Sequence, residues 1–159
     1  MRYNYSPFRR YVVCVSLLCL LGIAGCAVPR PQAKGPLPTP DPATAATLHV
    51  YRASDAPRRP ALTFYLYVDG NRIGKLGSTQ THKIALPPGR YSLVVQGEIL
   101  GFPEAVEPVV LQVDLETQKE YFVRFSTRNS IGAIVGTTVV TTVDRYFGQV
   151  PKQAWQQFR

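Results

Sequence analysis

From Thr47 to Asp144, apolar and polar residues follow a strand-like period of two, broken at short intervals by Gly, Pro, Asn and Asp. That pattern constrains the fold more than any other feature. A period of two puts alternate side chains on opposite faces, as a half-buried strand requires. Thr47 to Arg52 sets Leu48, Val50 and Arg52 on one face and His49 and Tyr51 on the other. Ala61 to Val68 is dense in β-formers and stops at Asp69-Gly70-Asn71, a hairpin signal because these residues tolerate φ > 0. Arg72 to Leu76 returns.

The same grammar continues. Thr81 to Leu86 ends at Pro87-Pro88-Gly89, and Arg90 to Gln96 alternates with Tyr91, Leu93 and Val95 on one face. Gly97 to Pro108 reads as a long loop holding Phe102, Glu98, Glu104 and Glu107. Val109 to Leu115 is expected to pair with Glu120 to Ser126 across Glu116-Thr117-Gln118, and Thr137 to Asp144 forms a last β-branched strand. About seven or eight short strands at near-regular spacing predict an all-β fold, a small antiparallel sandwich of the immunoglobulin-like kind, over 47–145. The tail, 146–159, is expected to form a short helix or an irregular cover over one end of the sandwich.

The N-terminal third differs in kind. Arg2, Arg9 and Arg10 precede an apolar run from Tyr11 to Leu21, the charge order and length of a secretory leader. The run falls short of the ~20 residues a spanning helix needs. It ends at Ile23-Ala24-Gly25-Cys26, which resembles the lipobox of a bacterial lipoprotein. The resemblance implies cleavage after residue 25 and acylation of Cys26; an uncleaved anchor and ordinary cleavage leaving a free thiol are the alternatives. Ala27, rather than Asp, follows Cys26, and by the enterobacterial sorting rule that implies the outer membrane, with the domain facing the periplasm. Cys14 and Cys19 would leave with the leader, so the mature chain holds no second cysteine to pair with Cys26.

Residues 26–46 complete the entry to the domain. Pro29, Pro31, Pro36, Pro38, Pro40 and Pro42 exclude helix and central strand, and polyproline II at about 3.1 Å per residue predicts a spacer of up to roughly 60 Å. A Pro-rich docking motif is the competing reading. Loss of three leader arginines and no acid takes the formal charge from +8 to +5. The remaining cations are scattered, without the basic stripe of a nucleic-acid binder.

Val50-Tyr51-Arg52, Tyr67-Val68-Asp69-Gly70 with Ile73-Gly74 and Leu76, and Leu86-Pro87-Pro88-Gly89 with Tyr91 together resemble one family. It is the bacterial lipoprotein domain of unknown function numbered twenty-eight forty-six, itself similar to PEGA modules. The resemblance, over about 47–126, implies a small β-sandwich on the outer face of a membrane and brings no catalytic residues. Ala53-Ser54 departs from it, standing where a Pro is expected after the arginine.

No His-Glu-x-x-His, Gly-x-Ser-x-Gly or phosphate-loop pattern occurs, and a mature chain without a free cysteine lacks a thiol nucleophile. The two histidines, His49 and His82, fall short of the roughly four ligands of a structural zinc site. Neither enzyme activity nor a metal or cofactor is expected. Asp69 reads as a turn residue bonding its own backbone rather than as a catalytic or calcium-binding group. Phe64, Leu66 and Val68 are expected to face inward. Tyr65 and Tyr67 would then face outward as the candidate partner-binding pair. The Gly132–Gly136 spacing runs into a β-branched stretch and reads as a buried or edge strand, with a self-association edge as the alternative. The expected role is a tethered accessory module docking an envelope protein; the rival is a lipoprotein binding peptidoglycan or another anionic glycan.

Overall fold

The computed structural model describes residues 29–53, 62–78, 80–135 and 138–157, and of residues 129–143 only the backbone. In chain order the strands are β1 (Ala46–Ala53), β2 (Leu62–Val68), β3 (Asn71–Lys75), β4 (Thr81–Leu86) and β5 (Gly89–Ile99). They continue as β6 (Phe102–Pro103), β7 (Val109–Leu115), β8 (Glu120–Val135) and β9 (Thr138–Gln149), followed by helix α1 (Lys152–Gln156). Two sheets form, one ordered β4-β1-β8-β9 and the other β3-β2-β5, with β6 and β7 both pairing on the free side of β5. The fold is an all-β sandwich.

Its core is the product of the alternation. Leu48 and Val50 of β1, with Val123 and Phe125 of β8, face Phe64, Leu66 and Val68 of β2 and Tyr91, Leu93 and Val95 of β5. The Phe64 and Phe125 rings meet across the layers at 4.9 Å, and Phe147 of β9 packs edge-on against Phe125 at 6.1 Å. Truncating an aromatic of this kind to Ala costs about 3–5 kcal/mol. The inward set predicted on β2 is the observed one.

Four expectations need correction. β7 does not pair with β8: it pairs with β5, Tyr91 opposite Val113, while β8 lies in the other sheet. Leu115 and Val123 enter the same core from opposite layers, so the short Glu116–Lys119 connection crosses the sandwich. Second, the sheets are not wholly antiparallel. β1 runs parallel to β8, Leu48 opposite Tyr121, a pairing between strands some seventy positions apart. Third, 97–108 is not one loop, because β5 continues to Ile99 and turns into β6. Fourth, β9 runs on to Gln149, past the expected domain limit at residue 145.

The outer face of β1 and β8 is also covered. His49, Tyr51, Phe122 and Trp155 make a second buried cluster, with His49 stacked on Phe122 at 4.8 Å. Trp155 comes from α1, so the tail lies over a sheet face and not over the end of the sandwich. Past the last β1 pair, Ala53↔Ser126, β8 and β9 pair only with each other among the described residues, from Thr127↔Arg145 to Val135↔Thr138, with one irregularity near Ala133. Gly132 therefore lies in a strand, and Gly136 is outside the described residues.

Candidate functional site

The outer face of the β3-β2-β5 sheet carries the candidate site, and its geometry starts at one turn. Val68 pairs with Asn71, leaving Asp69-Gly70 as a two-residue hairpin loop with φ of 46° and 78°, the type I′ geometry that fits the twist of the flanking strands. The Asp69 side chain bonds the neighbouring strand rather than its own backbone. Its Oδ1 accepts the Ser92 N–H at 2.8 Å, and its own N–H donates to the Ser92 carbonyl at 2.9 Å. The turn is clamped to β5.

Over that turn passes the Pro-rich segment, which is not a free spacer. A Cβ at Gly70 would stand 2.0 Å from the Gln32 carbonyl oxygen, so only glycine lets the segment through. Asn71 donates its Nδ2–H to the Gly35 carbonyl at 2.9 Å, and Leu37 packs against the main core. Further upstream the Arg30 guanidinium donates to the Gly101 carbonyl and stands 3.2 Å from Glu98. We call residues 30–38 the strap. Its prolines exclude helix, and the Arg30 side chain and the Gly35 carbonyl tie it to the sheet it crosses.

Between strap and sheet lies a cleft of about 610 Å³, lined by Lys34, Pro36 and Leu37 on one side and Arg90, Val94 and Gln112 on the other. On the same sheet face, Glu98 is 3% exposed and held between Arg30 and Arg72, the latter at 3.7 Å. Arg72 in turn lies flat over the Tyr65 ring, 3.5 Å from its centroid. Such cation–π contact fixes the ring and the guanidinium together.

This arrangement separates the two candidate tyrosines. Tyr65 is partly exposed, with Arg72 upon it. Tyr67 shares its face but is 3% exposed. Burial, and then the Glu98 carboxylate, push its phenol above the ordinary value, so it stays neutral in the physiological range. Tyr67 is a structural residue, and the outward pair reduces to Tyr65. Cys26, the lipidation candidate, lies outside the described residues.

The histidines are not brought together. His82 sits opposite Val50 and its Nε2 lies 2.8 Å from the Lys75 carbonyl. His49 projects to the other face, walled in by Phe122 and Trp155, with Nε2 3.5 Å from Glu120 Oε1. Lys152 of α1 donates to the second Glu120 oxygen at 2.8 Å, and this bond holds the carboxyl below its ordinary range. The trio ties the terminal helix to β8. Among the described residues no group of three or more His, Cys, Asp or Glu could hold a metal ion, and no helix is long and apolar enough to cross a membrane.

The β5–β6 hairpin tip escaped the reading from sequence. Ile99, Leu100 and Phe102 all project into solvent there. The signal was present, since three large apolar residues around Gly101 are a poor composition for a solvated loop. No family model matches this chain, and no curated protein sequence matches it either.

Proposed function

We propose that this is an envelope lipoprotein, acylated at Cys26 and carried to the outer membrane, whose β-sandwich docks a partner protein without catalysing a reaction. The supporting observation is the Tyr65–Arg72 pair. Tyr and Arg are enriched among the residues that carry most of the binding energy at protein interfaces. Here the two are already stacked on each other at a partly exposed position, so less side-chain entropy is lost on docking. The lipobox resemblance and the absence of a catalytic motif in the sequence support the rest of the reading.

A second reading has its own observation. Lys34, Arg90, Asn71 and Gln112 give the cleft cations and amide groups suited to a carboxylated glycan. Photo-crosslinking in cells from position 65 separates the two. One dominant protein adduct, unaffected by salt, is the expected result. Salt-sensitive muropeptide adducts would transfer the proposal to the glycan reading. An absence of adducts at position 65 would remove Tyr65 as the docking residue.

A further inference from the structure

The β5–β6 hairpin breaks a rule that the β2–β3 hairpin obeys. Ile99 pairs with Phe102, so Leu100-Gly101 is a two-residue loop, with φ of 52° and 86°. Type I′ loops select Asn, Asp or Gly at the first position, because at positive φ a Cβ crowds the following carbonyl, a cost that Gly avoids and Asn or Asp offset by local hydrogen bonds. Asp69-Gly70 conforms. Leu100 does not, and it is 83% exposed, flanked by Phe102 at 74% and Ile99 at 42%. Neither the loop geometry nor the core calls for leucine here. A local rule broken without a gain in the fold points to a function at that place.

The strap supplies what covers it. Arg30 binds the Gly101 carbonyl at this same tip, and Cys26 is four positions upstream. Four extended residues span at most roughly 14 Å. An acyl group on Cys26 lies in the bilayer, so the tip is held within that reach, plus one arginine side chain, of the membrane surface. At the base of the hairpin the charges are paired: Arg30 and Arg72 flank the buried Glu98 carboxylate, and Glu104 is held by Arg145.

We propose that Ile99, Leu100 and Phe102 form a wedge seated in the interfacial layer of the bilayer that holds the acyl chains of Cys26. This inference rests on the lipoprotein reading. The domain then lies against its membrane, its β5–β6 end down, instead of standing off on a 60 Å spacer.

The test uses the mature acylated protein in vesicles of phosphatidylethanolamine and phosphatidylglycerol. With Cys26 acylated, a Leu100→Cys or Thr117→Cys variant carries one free thiol for a nitroxide. Thr117 is exposed and follows β7 at the opposite end of the sheet, where Leu115 pairs with Gly89. Power saturation should give the label at 100 a several-fold higher ratio of oxygen to nickel-chelate accessibility than the label at 117. Equal, water-like ratios on protein whose intact mass shows acylation would overturn the wedge and leave the lipoprotein reading standing. A label at 100 shielded from both reagents would assign the tip to a protein contact, and so also overturn it. An unacylated Cys26 would remove both the reading and the inference. Both positions are exposed, and matching melting curves for the two variants check that folding is intact.

Discussion

Leu100 and Asp69 occupy equivalent positions in two hairpins and are opposed in their effect on stability. Leu100→Asn relieves the left-handed conformation and should stabilise the domain by about 1 kcal/mol, a rise of a few degrees in Tm by calorimetry. Asp69→Ala removes the acceptor of the Ser92 N–H and should cost about 1 kcal/mol in a denaturant melt. If both substitutions proved neutral, neither turn would be set by its first residue. The alternation told which side of β2 Tyr65 and Tyr67 occupy, and that is correct. It did not tell that Arg30, Glu98 and the strap close over Tyr67, because a proline-rich stretch carries no periodicity to reveal what it lies on.

Among the elements, the strap and α1 are the additions to a plain sandwich. Gly70→Ala combines a positive φ with a clash against the Gln32 carbonyl, so the strap should lift from the turn. Faster tryptic cleavage after Lys34 in that variant is the expected readout, and an unchanged rate would show that the strap is not held at Gly70. Helix α1 is five residues long, too short to stand without its contacts. Trp155→Ala should therefore release it and expose Phe122 and His49, at a cost of about 3 kcal/mol. Acid should loosen the same helix. Glu120 has its carboxyl held below 4.5 by Lys152, so the stability from that pair is present above the unfolded carboxylate pKa and is lost as pH falls through the lower folded one. The contact is exposed, which keeps the effect small. Emission from Trp155, the chain's one tryptophan, should shift before global unfolding as pH drops below about 4.

For the whole molecule, strand positions were legible while strand partners were not. Each of β1 to β5 and β7 lies close to where period and turn residues put it, since those signals are local. The parallel β1–β8 pairing and the crossing from β7 to β8 depend on which layer a strand joins. Period two is identical in both layers, and a turn of three or four residues can close a hairpin or step across a 10 Å sandwich. The candidate site followed the same division: the outward face of Tyr65 was legible, and its contact with Arg72 and the cleft were not. Whether the sandwich works at a membrane depends on Cys26. Intact-mass measurement of the protein extracted from the membrane fraction tests that most directly. The expected mass is that of Cys26 to Arg159 carrying a diacylglyceryl group and an N-acyl chain. A mass of the unprocessed 159 residues, or of a processed chain with an unmodified cysteine, would contradict it.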